Sequence, residues 1–291
     1  MKMPAFAYHR PASLDEAIAL LSEFDGDCKV LAGGQSLLPV MALRLSSPSH
    51  IIDIGKIEGN DQIVETGGAI KIGCRVTHAT LESSALVAAK VPVLAAAMPL
   101  VGHRAIRNRG TVCGSLAHAD PAAELPAVAR ALGATFSARS ASGSREIDAE
   151  DFFTGFLSTA LKEDELLTAV QFPDFPPNAG ASIKELSRRH GDFALVGVVA
   201  AIHVGPGSII DDASLVYFGV GSKPIRVDKA ELAIIGKPAN DATFAIAAEV
   251  AAAELDPPTD NHASGAYRSH AAGVLTAQAL AEAATQIRGA Q

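Results

Sequence analysis

Two glycine-containing turns carry most of the chemistry that this sequence suggests. The segment 107–124, RNRGTVCGSLAHADPAAE, places Gly110 and Gly114 between two arginines and an Asp-Pro pair at 120–121. Glycine lacks a Cβ and tolerates positive φ, so the backbone is free to approach a ligand and to present its amide groups. The Asp-Pro pair predicts a helix over 122–132 whose positive end points back at the turn. The segment is therefore expected to bind an anion.

A turn of the same kind lies upstream, in KVLAGGQSLLP at 29–39. An apolar strand over 30–32 leads into Gly33 and Gly34, and a helix is expected to open at Gln35-Ser36. Two such turns suggest two phosphates, and a dinucleotide with its pyrophosphate between them would use both. The alternative is that both are ordinary strand-to-helix turns, which is the interpretation that a single Gly-Gly pair would favour.

The composition indicates a globular chain with an acidic balance. Hydrophobic residues make up 48% and charged residues 19% of the 291 residues, which favours a folded enzyme component over a disordered or repeat protein. The formal net charge of −8 argues against a nucleic-acid partner, because nucleic acid requires a basic face. The N-terminal residues show no apolar signal segment, and no apolar run is long enough for a membrane span. The cytoplasm is the expected location.

The cysteine and histidine spacings predict neither an iron–sulfur cluster nor a metal site in this chain. Cys28, Cys74 and Cys113 are too few for a four-thiolate cluster and form no C-x-x-C pair. The nine histidines lack the spacing that is typical of zinc sites. No catalytic residue is predicted, and His118, between two alanines, is interpreted as a packed side chain. A redox role would therefore need an organic cofactor.

Taken as a set, the motifs resemble the FAD-binding medium subunit of molybdenum hydroxylases. They are AGGQS at 32–36 and TVCGS at 111–115, with IRN at 106–108 before the second. That family includes the flavoprotein subunits of carbon monoxide dehydrogenase and of bacterial nicotine and quinoline dehydrogenases, and the flavin domain of xanthine dehydrogenase. The similarity extends over nearly the whole chain, including 184–193 and the helix start at 267–270.

The resemblance implies an oxidoreductase subunit that carries FAD and performs no hydroxylation of its own. A molybdenum cofactor and two [2Fe-2S] clusters are then expected in a large molybdenum subunit and a small iron–sulfur subunit, assembled as a dimer of heterotrimers. Electrons would pass from the clusters to FAD and on to an external acceptor. Two alternatives stay open: a self-contained flavin-dependent oxidoreductase of the same FAD-binding fold, and a non-enzymatic module for another nucleotide. The organic substrate stays open as well.

The resemblance also implies which residues bind FAD. Glu124 would accept a hydrogen bond from a sugar hydroxyl, and an aromatic residue in the loop 187–193 would shield one face of the ring system. The implied set is Leu31, Ala32, Gly33, Gly34, Gln35, Ser36, Leu37, Val101, Thr111, Val112, Cys113, Gly114, Ser115, Glu124, Leu167, Lys184 and Phe193. Taken alone, Val101 and Leu167 would be interpreted as core residues, and Glu124 as a carboxylate that stabilises a helix dipole.

Cys113 departs from the family pattern, because many relatives have glycine at this position. A Cβ removes the freedom of positive φ, so either the position has negative φ or the loop has shifted. A reactive thiolate and a small buried hydrophobe are the two possible roles, and the second is favoured.

The fold expected to position these residues is α+β. The resemblance implies a two-lobed FAD-binding domain of the PCMH type over 1–177, with lobes of about 1–54 and 55–177. The first lobe is predicted to pair its strands in parallel and the second to be largely antiparallel. Prolines in PDFPPN at 173–178 resist regular structure and set the boundary. Residues 178–291 are predicted to form a C-terminal domain of antiparallel sheet packed with helices.

Overall fold

The first lobe is a small parallel sheet with two connecting helices. The computed structural model describes residues 2–289, without the side chains of residues 288 and 289. The strands are β1 Ala7–His9, β2 Cys28–Leu31 and β3 His50–Asp53, in the order β1-β3-β2, and the helices are α1 Leu14–Phe24 and α2 Leu37–Ala42. The Ser13 hydroxyl caps α1 by accepting a hydrogen bond from the Glu16 amide. The predicted parallel pairing is confirmed, while β1 was missed.

The second lobe contains a five-stranded antiparallel sheet, as predicted. Its strands are β4 Ile63–Glu65, β5 Ala69–Gly73, β6 Thr135–Ser140, β7 Gly143–Asp148 and β10 Leu166–Pro173, in the order β4-β5-β10-β6-β7. β8 Phe153–Gly155 and β9 Ser158–Thr159 form a separate hairpin. The helices are α3 His78–Glu82, α4 Ala85–Lys90, α5 Pro92–Ala97, α6 Arg104–Arg107, α7 Val112–His118, α8 Glu124–Ala131 and α9 Ala149–Phe152.

The first residue of the helix predicted over 122–132 is wrong, because the helix begins at Glu124. The helix that follows the second glycine turn is α7, and it ends at Ala119, which adopts a left-handed conformation with φ of 51°. Asp120 caps only a short turn, in which its Oδ1 accepts a hydrogen bond from the Ala122 amide at 2.9 Å. Helix α8 then begins at Glu124, with no side-chain cap. The positive helix end at the second turn therefore belongs to α7.

The C-terminal part of the chain is a four-stranded antiparallel sheet with helices, which confirms the α+β fold. The strands β11 Ala179–Ser187, β12 Ala194–Gly205, β13 Ile209–Phe218 and β14 Ile225–Arg226 are adjacent in that order. The helices are α10 Asp228–Leu232, α11 Asp241–Glu254 and α12 Gly265–Gly289. Along β12, Val196, Val198 and Ala200 pack in the core with α11 and α12, whereas Val199 joins the core of the preceding lobes. The sheet is thus buried on both faces, with α5 and α8 on the second.

Within residues 2–289, the helices are too short or too polar to cross a membrane.

Candidate cofactor site

The first glycine turn presents unused backbone amides. β2 ends at Leu31, and Gly34 adopts φ of 72°, a left-handed conformation that favours glycine. The Gln35 side-chain amide donates to the Gly33 carbonyl at 3.0 Å, which stiffens the turn. Within the described part of the chain, the backbone amides of Gly34, Gln35 and Ser36 have no partner. Successive amides of this kind form a concave anion site at the start of α2.

The second turn is fixed by its own cap and by contacts with α3. The Thr111 hydroxyl accepts a hydrogen bond from the Gly114 amide at 3.1 Å and so caps α7. The His78 amide donates to the Gly110 carbonyl at 2.9 Å, and a Cβ at Gly110 would lie 3.0 Å from His78 Nδ1. The buried His78 ring therefore supports the turn from behind. Burial lowers the pKa of His78 to about 4, so the ring is neutral at physiological pH.

The tertiary structure brings the two turns into contact. A Cβ added at Gly33 would lie 2.2 Å from the Arg109 carbonyl oxygen and 2.7 Å from Gly110 Cα, so only glycine fits there. At the other turn, a Cβ at Gly114 would lie 2.6 Å from Thr111 Oγ1 and 3.7 Å from Ala32 Cβ. These distances place the two amide-bearing turns beside each other.

The residues present at this junction fit a pyrophosphate. The hydroxyls of Ser36 and Ser115 are half-buried and, among the described residues, have no hydrogen-bond partner. Each turn thus offers a free hydroxyl near a helix start, and the bare amides of the first turn supply donors without bulk. Together they bring most of the predicted contact residues into one place, namely Leu31, Ala32, Gly33, Gly34, Gln35, Ser36 and Leu37 on one side and Thr111, Val112, Cys113, Gly114 and Ser115 on the other.

Arg107 does not point at this junction, although the sequence places it just before the second turn. Its guanidinium is buried, and Nε donates to Glu82 Oε2 at 2.9 Å. Nη1 donates to the carbonyls of Val101 at 3.3 Å and Gly102 at 3.0 Å. Arg107 therefore holds the Val101 segment in place. Arg109 remains exposed.

Glu124 is the first residue of α8 and is only 7% exposed. A helix N-terminus favours the charged carboxylate, yet burial is the larger effect and raises the pKa of Glu124 to about 8. A buried carboxyl group is stabilised by hydrogen-bond donors, and a ligand hydroxyl would add a donor to the backbone amide of Glu124 itself. The predicted contact with a sugar hydroxyl is compatible with this environment and stays a prediction.

Lys184 and its neighbour Glu185 lie on opposite faces of the C-terminal sheet. Lys184 pairs with Val198 in register, on the face covered by α12, and its ammonium forms an ion pair with Glu282. Glu185 pairs with Gly197 and lies on the face that packs against the preceding lobes. The contact of Lys184 with FAD stays a prediction, and its side chain lies on the face that α12 covers. The sequence indicates that neighbouring residues of a strand point to opposite faces. It does not show which of the two faces the preceding lobes.

Val101 and Leu167 are both buried, with 9% and 4% of their surface exposed. Leu167 lies in β10 immediately before a register shift against β6, and it packs in the core of the second lobe. Val101 follows a short 3-10 turn, Met98–Leu100, and its carbonyl is held by Arg107. Their contacts with FAD stay predictions, since the core interpretation accounts for both environments.

Phe193 lies at a large cleft between the second lobe and the C-terminal sheet. Its loop packs against the segment before α6, since a Cβ at Gly191 would lie 2.5 Å from His103. Arg188 of the same loop pairs with Asp192 at 3.4 Å. Phe193 itself is 64% exposed. The cleft has a volume of about 1010 Å³ and is also lined by Asp120, Pro121, Ala122, Phe156 and Arg268. An exposed aromatic ring here is available to cover a planar ligand.

The acidic, histidine and cysteine side chains form no metal site in residues 2–289, because nowhere do three of them cluster. Cys28, Cys74 and Cys113 are buried free thiols.

Cys113 lies in the first turn of α7 and does not adopt positive φ. It is 3% exposed, and its Sγ lies 3.9 Å from the Ile72 carbonyl oxygen. Burial raises the pKa of the Cys113 thiol well above its ordinary value, so the nucleophilic thiolate is suppressed. These observations support the buried hydrophobe and not the reactive thiolate.

We expect the variant Cys113→Ala to bind FAD with an affinity within about twofold of the native chain. The thiol contributes packing only, so the free energy of unfolding should fall by about 1 kcal/mol. Cys113→Gly should retain FAD as well, with a further loss of about 1 kcal/mol from helix propensity. Flavin titration and thermal unfolding of both variants measure these effects. A loss of electron transfer at full flavin occupancy would contradict a structural role.

Comparison with known proteins is consistent with this site. Residues 4–175 match the family model described as FAD binding domain in molybdopterin dehydrogenase, and residues 181–283 match the CO dehydrogenase flavoprotein C-terminal domain. The chain is 40% identical to the nicotine 6-hydroxylase medium subunit of Paenarthrobacter nicotinovorans, over 97% of this chain and 99% of that protein.

Solved structures agree in fold along almost the full length. The carbon monoxide dehydrogenase of Hydrogenophaga pseudoflava matches with a TM-score of 0.95 and 35% identity, over 98% of this chain and 99% of the other. Quinoline 2-oxidoreductase of Pseudomonas putida 86 matches with a TM-score of 0.93 and 37% identity, over 99% of both chains. The two matched family models and these relatives show that the chain belongs to the family of FAD-binding medium subunits of molybdenum-containing dehydrogenases.

Proposed function

We propose that this chain binds one FAD and transfers electrons within a molybdenum hydroxylase complex. Electrons would enter from [2Fe-2S] clusters of a small partner subunit and leave to an external acceptor, while a large partner subunit would hold the molybdenum cofactor and the organic substrate. The observation that carries the proposal is the contact between Gly33 and the Arg109-Gly110 backbone. It places the free amides of the first turn beside the start of α7 and the Ser115 side chain.

The chain's own residues would bind and orient the cofactor. Bound FAD supplies the redox chemistry, because a flavin exchanges electrons singly or in pairs. The amides of Gly34, Gln35 and Ser36 would bind one phosphate, and the start of α7 would lie against the other. Glu124 would bind a sugar hydroxyl, and Phe193 would cover one side of the ring system. This division of labour requires no general base from the chain.

A self-contained flavin oxidoreductase is the competing function, and one experiment separates the two. The FAD-loaded chain is mixed anaerobically with carbon monoxide, a purine or an N-heterocycle such as nicotine, alone and after assembly with its iron–sulfur and molybdenum partners. We expect the flavin absorbance to bleach only in the assembled complex with its correct substrate. Bleaching of the isolated chain by an organic substrate would refute the subunit role. Failure of the native chain to bind FAD would refute the proposal entirely.

A further inference from the structure

Glu185 is a half-buried acidic side chain that the proposed function leaves without a role. It lies in β11, on the sheet face that carries Ala181 and Ile183 into the core of the preceding lobes. Its Oε2 atom is buried and accepts no hydrogen bond. An unpaired buried acceptor is costly, because it has lost water without gaining a protein donor.

The surroundings of Glu185 supply no cation. Lys184, the nearest basic residue in sequence, points to the opposite face and pairs with Glu282. Across the residues that the structure describes, neither Glu124 nor Glu185 forms an ion pair. A buried carboxyl without a cation therefore depends on uncharged donors.

Glu124 approaches the same place from the other side of the interface. Helix α8 packs on β12 and β13, and the Gly219 amide donates to the Pro121 carbonyl at 2.8 Å, which fixes the segment before α8 on this sheet. Burial is the main cause of the raised pKa of Glu124, and the charge of Glu185 adds to it. Burial also raises the pKa of Glu185 to about 7. In the sheet, Glu185 pairs with Gly197 and Gly197 pairs with Phe218, the residue before Gly219. Glu185 and the segment before α8 therefore lie at the same end of the sheet.

We infer that Glu185 is a further FAD-binding residue, whose carboxyl accepts a hydrogen bond from a hydroxyl of the cofactor beside the hydroxyl that Glu124 binds. This inference rests on the proposed function. A phosphate is a poor partner, because it would repel either carboxyl group once that group ionises. FAD carries neighbouring hydroxyls on its ribose and on its ribityl chain, and these are uncharged donors at close spacing. They match two adjacent acceptors.

A consequence is that both parts of the chain hold the cofactor. The glycine turns and Glu124 belong to the first two lobes, whereas Glu185 belongs to the C-terminal sheet. FAD would then link the C-terminal sheet to the lobes at the interface where α8 packs. Binding should therefore stabilise the interface as well as the turns.

The test is an FAD titration of the full chain, by flavin fluorescence, with Glu185→Ala and the nearly isosteric Glu185→Gln. The control is Glu249→Ala, an exposed glutamate of α11. We expect Glu185→Ala to raise the Kd for FAD about 10-fold or more, because the hydroxyl of the bound cofactor would lose its acceptor and stay unpaired. Glu185→Gln keeps one carbonyl acceptor and should lose about 3-fold to 10-fold. The control should stay within about twofold.

Two further titrations identify the hydroxyl. If Glu185 binds the ribityl chain, the same loss appears with FMN; if it binds the ribose, the loss appears instead for ADP as a competitor. Glu185→Ala and Glu185→Gln chains that unfold like the native protein but bind FAD equally well or more tightly would overturn the inference while leaving the proposed function intact. A native chain without FAD affinity would overturn both.

Discussion

Gly33→Ala is expected to weaken FAD binding by about 100-fold or more, because it forces the two glycine turns apart. The new Cβ would fall 2.2 Å from the Arg109 carbonyl oxygen, and that oxygen belongs to backbone and not to a mobile side chain. Separation by even a fraction of an ångström moves the free N–H donors of the first turn away from a phosphate held at the start of α7, and each charge-assisted bond is worth about 1.5–3 kcal/mol. The fold should survive, since the lobe cores are built elsewhere.

The matched control for this substitution is Gly155→Ala. Neither glycine adopts positive φ, and a Cβ at Gly155 would meet nothing within 4 Å, so the two variants differ in the space available. Flavin titration should show native affinity for Gly155→Ala and almost none for Gly33→Ala, with similar circular dichroism spectra. Native affinity in Gly33→Ala would mean that the pyrophosphate does not lie between the two turns.

The FAD-free chain is expected to lose stability as the pH rises from 6.5 to 8.5, and Glu124 is the main cause. Its pKa is raised by burial from 4.5 to about 8, so the native state keeps a proton that the unfolded state has released. In this window the unfolded state binds fewer protons, and the free energy of unfolding therefore falls as the pH rises. One retained proton corresponds to about 1.4 kcal/mol per pH unit, or about 2 kcal/mol over the range up to pH 8.

His78 does not contribute to the change in the free energy of unfolding between pH 6.5 and 8.5. Burial lowers the pKa of that imidazole from 6.5 to about 4, so it destabilises the native state only as the pH falls below 6.5. Glu185 adds to the loss in the same direction up to about pH 7. Denaturant unfolding at pH 6.5 and 8.5 measures the effect. Glu124→Gln should remove most of the pH dependence, whereas Glu23→Gln on the surface of α1 should not. If the free energy of unfolding of Glu124→Gln fell with pH as steeply as that of the native chain, Glu124 would not be the cause.

The two glycine turns show most clearly how much of the site can be predicted from the sequence. Both turn positions and the helix after the first turn were predicted correctly, from glycine and from the flanking apolar residues, whereas α7, the helix that follows the second turn, was missed. These are local properties, decided within a few residues. The start of the helix near Asp120 was wrong, because an Asp-Pro pair is equally at home in a short turn.

The faces of the C-terminal sheet show what a local pattern leaves open. Alternation along β11 requires Lys184 and Glu185 to point in opposite directions, but only pairing with β12 decides which of them meets the preceding lobes. Arg107 is a similar case, since its proximity to the turn in sequence does not reveal its bond to Glu82.

The sequence by itself therefore determined the family, the positions of the two glycine turns and the α+β character of the chain, because each follows from residue types at short spacing. Only the tertiary structure decided that Gly33 lies against Gly110 and that Glu124 and Glu185 face the same interface between the lobes and the C-terminal sheet. Each of these arrangements joins segments about 60 to 80 residues apart. The packing of whole elements brings such segments together, and no local pattern encodes their distance.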